Sequence, residues 1–350
     1  MPLSKIKTNS VADEVFESGS NFIINGGMTI AQRSVSETAQ HTTGYITCDR
    51  FNISFVNEDE LRQTITQAAD GPSGFSKSLK LQTTTAESAV AADEAQRIIY
   101  RAEGQDLQSL GFGTSAAKKF TISFYVKSSV AATYGFNAYI YDAAKVFGQA
   151  YTINSANTWE RKSITFDANT SDAITDDNTV GLQINWFLIA GSNYTSGSNS
   201  GWETFTQAKH AVGHTANAFG TTTNATWQIT GVQLEVGEQA TPFEHRSIED
   251  ELIRCQRYYQ SMDYYYSYGS TSTNIFYYTN FSFPITMRAT PTMTASAWGS
   301  NTGNAQTYYG STQSNGWIMQ SAIPTGAIMR GNHANIYNFM SGRGKFDAEL

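Results

Sequence analysis

The residues Val180–Ala190, VGLQINWFLIA, place Val180, Leu182, Ile184, Trp186 and Leu188 on one parity and Gln183 and Asn185 on the other. That alternation is the mark of a strand with one face in a core. It recurs at Phe120–Lys127 through Phe120, Ile122, Phe124 and Val126. At Gly135–Asp142, Phe136, Ala138 and Ile140 stand against Asn137, Tyr139 and Tyr141. Further strands are predicted at Asn21–Ile30 (split by an Asn-Gly-Gly turn), Tyr45–Val56, Leu61–Thr66, Ser78–Thr83, Gln96–Glu103 and Trp159–Phe166. Asp106–Phe112 reads as one helical turn ended by Gly111, and residues 85–97 as a loop despite their helix propensity. Many short strands, polar turns and little helix predict an all-β sandwich.

Charged residues make up only 15% of the chain and aromatics 13%, which suits polar, uncharged surfaces. A net charge of −7 argues against a nucleic-acid partner, which needs a basic face. No apolar run approaches a membrane span and no basic-then-apolar leader opens the sequence, so neither membrane insertion nor a signal peptide is expected. Cys48 and Cys255 lie far apart and are expected to be free thiols.

The stretch Trp227–Gln260 reads as a last strand, a hinge and one amphipathic helix. Val232, Leu234 and Val236 alternate with Gln233 and Glu235, while Trp227 and Ile229 hold the opposite parity. Gly231, where the parity changes, predicts a bulge. Ser247 is a candidate cap for a helix with Glu249, Asp250 and Glu251 in its first turn. Ile248, Leu252, Cys255 and Tyr259 form one seam.

The residues Ile229–Gly237 (ITGVQLEVG), Ala240–Glu244 (ATPFE), and Glu251-Leu252 with Cys255–Tyr259 (CQRYY) resemble a segment that recurs in bacteriophage tail-fibre and related virion proteins, notably of marine phages. Asp49-Arg50-Phe51 and Phe281–Thr292 are similar to further positions of that family. The resemblance implies a carbohydrate-binding-like jelly roll that passes into a linking helix, in a homotrimer. The expected organisation is an N-terminal virion-attachment arm over 1–20, a jelly roll over 21–245, a linking helix over 246–262 and a small trimeric β domain over 263–350. The last block has few charges and little Leu, Ile or Val, so its core would be marginal alone.

On this reading Ile248, Leu252, Cys255, Tyr259 and Tyr265 form the trimer interface. Leu3, Ile6, Val11 and Phe16 attach the arm to other phage tail or capsid proteins. The implied function is a tail-fibre or tail-tip component on the particle exterior that recognises host polysaccharide or lipopolysaccharide without cleaving it. The alternatives are a structural head fibre, capsid decoration or adaptor protein, and a glycan depolymerase.

Sugar rings pack on aromatic faces while polar neighbours bond their hydroxyls. Tyr194 and Trp202, in a polar loop, and Tyr308 and Trp317, in the second block, are the carbohydrate-binding candidates; Trp159, Trp186 and Trp227 read as core. His210 and His214 have ligand spacing, but Ala211, Gly213 and their flanks argue against a metal-binding helix. The acidic residue that often helps hold a structural calcium in jelly rolls is missing from Gly27–Ile30. No cofactor, metal or catalytic residue is expected. Asp49 and Arg50 are assigned a structural ion pair or hydrogen bond.

Overall fold

The computed structural model describes residues 21–269, 275–297, 306–308, 314–315, 317–333 and 337–350. Thirteen strands build its first block: β1 (Ser36–Gln40), β2 (Gly44–Tyr45), β3 (Phe51–Val56), β4 (Arg62–Ala68), β5 (Ser78–Thr85), β6 (Ala95–Glu103), β7 (Phe120–Ser128), β8 (Thr133–Ile140), β9 (Lys145–Thr152), β10 (Glu160–Phe166), β11 (Val180–Ala190), β12 (Glu203–Thr204) and β13 (Thr226–Val236). They form two antiparallel sheets, β1-β4-β5-β13-β7-β10 and β12-β9-β8-β11-β6-β3-β2. The chain passes repeatedly from one sheet to the other, giving a jelly-roll sandwich in an all-β protein.

The core lies where the period-2 patterns place it. Leu182, Ile184, Trp186 and Leu188 of β11 and Phe120, Ile122, Phe124 and Val126 of β7 are all buried in it. Phe124 and Phe136 meet Trp186 edge-on at 5.8 and 5.3 Å. Gly231 sits at φ +62° where the β13–β7 register shifts, confirming the bulge. A short helix over Gly104–Leu110 ends at Gly111, whose φ of +63° stops it.

Several elements depart from expectation. Asn21–Ile30 forms turns, not strands, because the Asn25 side chain, at φ +61°, bonds both main-chain groups of Ile30 and the Asp49 carbonyl. Tyr45–Val56 is broken into β2 and β3 by a turn at Arg50, φ +72°. β9 was not foreseen, since KVFGQAYT lacks clean alternation. Trp159 precedes β10 half-buried, between the Lys127 amine (4.9 Å from its ring) and Asp70, so it is not a core residue.

The helix spans Ile248–Gln256, and the Ser247 side chain accepts from the Asp250 N–H at 3.1 Å. It is docked on the sandwich. Cys255 is buried with Ile24, Ile30 and Tyr258, and Leu252 packs half-exposed beside them. Tyr259, also buried, lies beneath the Arg33 guanidinium at 3.8 Å. Of the expected seam, Ile248 is left open, 64% exposed, whereas Cys255 and Tyr259 are turned into this chain's own interior. Tyr265 lies in the strand Tyr259–Gly269, opposite Ser341. Leu3, Ile6, Val11 and Phe16 lie outside the described residues.

The second block contains a sheet in which Tyr337–Asp347 pairs with Tyr259–Gly269, Thr292–Ala297 and Gln306–Tyr308. In a three-stranded sheet, Gly326–His333 lies between Ile275–Ser282 and Trp317–Ile323. Phe283 and Phe346 meet at 4.7 Å in its small core. Its end is braced on the sandwich: Arg33 reaches Asp347 (2.9 Å) and Glu349 (3.3 Å), Arg50 pairs with Glu349, and the Ala348 N–H donates to the Tyr258 carbonyl (2.8 Å). Asp49 accepts from the Gln32 N–H at 3.0 Å, and burial pushes its carboxyl up to about 6.

Candidate functional site

Register arranges the face of the seven-stranded sheet that turns away from the core. Neighbouring strands lie about 4.8 Å apart and same-face residues along a strand about 6.6 Å apart, so side chains there form a grid. Tyr139 of β8, Gln183 of β11 and Arg101 of β6 occupy one row. Asn137, Asn185 and Ile99 occupy the next, continued by Asn52 of β3. Phe187 and Arg97 follow in a third, continued by Ser54.

Hydrogen bonds tie the rows together. Asn185 Nδ2 donates to Asn137 Oδ1 (2.7 Å), Gln183 Nε2 to Asn185 Oδ1 (3.0 Å), and Arg101 Nε to Gln183 Oε1 (2.8 Å). Asn137 Nδ2 donates to the His210 carbonyl (2.6 Å), which holds the segment after β11 against the sheet. The amide floor is buried, whereas Arg97, Arg101 and Tyr139 are half-buried and Tyr141 is 51% exposed.

An aromatic wall borders this floor. Tyr139 meets Tyr141 and Phe205 edge-on, each at 5.4 Å. His210 lies 4.6 Å from Phe205 and is stacked with Tyr194 at 6.4 Å. Burial, reinforced by the Arg97 charge, presses His210 down to about 3, so the ring is neutral and its Nδ1 can accept from Arg97 Nη1 at 3.1 Å. Over the buried amides, the accessible Tyr139, Tyr141 and Phe205 rings beside the Arg97 and Arg101 guanidiniums form a surface on which a sugar can stack and be hydrogen-bonded. The Tyr139 row continues through Val146 of β9 to Glu203 of β12, which is paired with Lys209; one carboxylate is not the acid–base pair that glycoside hydrolysis needs.

The four candidates from sequence are not brought together. Tyr194 belongs to the wall but is buried, its hydroxyl 3.4 Å from the Asp93 carbonyl. Trp202 plugs the edge of the sandwich core against Phe112 (5.8 Å) and Phe147 (5.6 Å), its Nε1 donating to the Asp167 carbonyl at 2.6 Å. Tyr308 and Trp317 fall in strands of different sheets of the second block. Sequence reasoning did not nominate Arg97, Arg101, Asn137, Gln183, Asn185 or Phe205. The usable signal was the polar parity of the two most apolar strands.

His210 and His214 do not converge on a common point. His214 Nδ1 accepts from the Gly135 N–H (3.1 Å), its Nε2 lies 3.0 Å from Asn217 Oδ1, and burial lowers it to about 4. Among the described residues no group of three or more His, Cys, Asp or Glu could hold a metal ion. A separate cleft of about 410 Å³, lined by Arg33, Glu37, Tyr45, Tyr259, Lys345 and Asp347, separates the sandwich from the second block. Its arginine is already committed to Asp347 and Glu349, which leaves the sheet face the better candidate.

No protein-family model matches the sequence, and no curated protein does. Among solved structures, the chain is similar to the enzymatically active domain of bacteriophage CBA120 tailspike protein 4, with 11% identity, 62% of this chain and 21% of that one covered, and a TM-score of 0.31. It is also similar to TmCBM61, solved with beta-1,4-galactotriose, with 7% identity, 62% and 99% coverage and a TM-score of 0.30. A third similar structure is the family 11 carbohydrate-binding module from Clostridium thermocellum, solved with a beta-1,3-1,4-mixed-linked tetrasaccharide, with 10% identity, 60% and 98% coverage and a TM-score of 0.28. The chain spans about a fifth of the tailspike domain and nearly all of each module.

Proposed function

We propose that this protein is a non-catalytic glycan-recognition component of a bacteriophage particle, a tail fibre or tail-tip protein that binds host surface polysaccharide or lipopolysaccharide. The observation that carries the glycan reading is the Tyr139–Gln183–Arg101 row, bounded by Tyr141 and Phe205. The place on the particle exterior is supported by the resemblance of Ile229–Tyr259 to tail-fibre sequences. In the same proposal the chain is a homotrimer whose arm, through Leu3, Ile6, Val11 and Phe16, meets other tail or capsid proteins. Three weak sites on one axis gain by avidity.

A second reading, a structural head fibre, decoration or adaptor protein, is favoured by one feature. The Asn137–Asn185–Gln183 amides hydrogen-bond to one another, as a purely structural network does. Binding of the purified protein to host cells and to an array of immobilised host glycans separates the two. The glycan reading expects retention, weakened by Tyr139→Ala with the melting temperature kept near wild type. Failure to bind any host cell or glycan leaves the structural reading.

A further inference from the structure

Resting on the glycan-binding reading of the same face, we infer that the ligand is an acidic glycan, whose carboxylate or sulfate groups are held by Arg97 and Arg101. The chain as a whole is acidic, with a net charge of −7, yet among the described residues Arg97 has no acidic partner on this sheet face, while Arg101 is bonded to an oxygen of Leu350, the last residue of the sequence. Four other arginines are matched to acids, whereas among the described residues the Arg288 side chain meets only the Ala348 and Asn178 carbonyls. Arg33 meets Asp347 and Glu349, Arg50 meets Glu349, Arg246 meets Glu244 and Glu251, and Arg257 meets Glu103. Among the described residues, no Asp or Glu side chain lies within ion-pair distance of Arg97 or Arg101. Glu349, adjacent to the Leu350 that Arg101 touches, gives its carboxylate to Arg33 and Arg50.

The two guanidiniums are held, yet hold capacity in reserve. Arg97 lies over the Phe187 ring, 5.6 Å from its centroid, with Nη1 at the neutral His210 ring. Its Nε is buried with no hydrogen-bond partner among the described residues, a costly state for a charged donor, and an anion at the half-exposed head of the guanidinium would offset that charge. Burial and the charge of Arg101 both act to lower the Arg97 pKa, so an anion bound there would remove a repulsion as well. Arg101 gives Nε to Gln183 and Nη1 to an oxygen of Leu350 (2.8 Å), which fixes its fork while its other terminal nitrogen makes no hydrogen bond among the described residues. The residues stand four apart on β6 with the same parity, so their backbones are about 13 Å apart along the strand. That separation suits a polymer carrying repeated charges. A planar guanidinium suits carboxylate and sulfate alike, since both accept two parallel N–H bonds.

The test measures binding of the intact chain to a polyuronate, to that polymer with its carboxyl groups reduced to alcohols, to a sulfated galactan and to neutral galactan and glucan. Wild-type protein is expected to bind the polyuronate or the sulfated polymer, with the preferred one naming the acid group. Binding should weaken as salt rises and fall roughly tenfold or more on carboxyl reduction and in Arg97→Gln. Arg97→Lys, which keeps the charge and loses the fork, should fall between. The polymer comparison needs no variant and stands even if Arg97→Gln fails to fold. Equal binding to neutral and acidic polymers, insensitive to salt, overturns the acidic-ligand inference and leaves glycan binding intact. Failure to bind any glycan, on the polymers and on the host array, overturns both.

Discussion

The Arg50 guanidinium lies 3.4 Å from the centroid of the Tyr258 ring, and both residues are buried. The contact joins the turn before β3 to the end of the Ile248–Gln256 helix. The same arginine reaches the Glu349 carboxylate and donates to the Arg101 carbonyl at 2.6 Å, and it lies 5.4 Å from the Tyr100 ring. One side chain thus bonds the sandwich, the helix end and the segment that follows the last strand of the second block. Deleting one partner of a buried ion pair strands the other charge and costs about 3–5 kcal/mol. Glu349 keeps its 3.3 Å pair with Arg33, so Arg50→Leu is expected to lower unfolding free energy by no more than about 3 kcal/mol, the lower end of that range, in urea titration. Unchanged stability in Arg50→Leu would mean that the second block is held by other contacts.

Gly231 carries a second prediction. A side chain at its φ of +62° is disfavoured by about 1–2 kcal/mol. An added Cβ would also lie 2.7 Å from the Phe75 ring and 2.9 Å from Tyr125, and such overpacking costs about 1–3 kcal/mol. Gly231→Ala should lose about 2–4 kcal/mol, the two effects together. Gly44→Ala meets nothing within 4 Å and should lose under about 1 kcal/mol. Similar melting of the two variants would show that the bulge can relax.

The elements legible beforehand are those whose cause is local. The inward residues of β11 alternate because a sandwich strand has one face in the core, and Ser247, Gly231 and Gly111 act on their immediate neighbours. The candidate face has no such local cause. Tyr139, Gln183 and Arg101 share a row only because β8, β11 and β6 pair in a particular register, and strand pairing is not written in any one strand. Asn137, Tyr139 and Tyr141 were visible as the polar parity of β8, yet nothing in the sequence brings Phe205 and His210 beside them. Tyr194 and Trp202 misled for the opposite reason. Their loop is polar and Gly/Ser-rich, as exposed loops are, but it folds back so that one ring stacks on His210 and the other closes the core.

The last prediction concerns Glu58, 6% exposed, with neither carboxylate oxygen hydrogen-bonded among the described residues. Burial, with the nearby charges of Glu87 and Glu94, pushes it up to about 9 from an ordinary value of 4.5. Between those values the folded chain keeps a proton that the unfolded chain has released, so stability falls as pH rises through the window. Asp49, raised by burial to about 6 from 3.8, acts with the same sign at lower pH. His210 and His214, lowered by burial to about 3 and about 4 from 6.5, act oppositely, and their contribution is lost as pH falls below 6.5. A Glu58→Gln variant isolates the first effect, because glutamine resembles the protonated acid at every pH. Its melting temperature should match wild type near pH 4.5 and exceed it increasingly toward pH 9, the free-energy gap widening by up to about 1.4 kcal/mol per pH unit. Melting curves that run parallel from pH 4 to 9 would show that Glu58 is ionised in the folded chain and has found a cation.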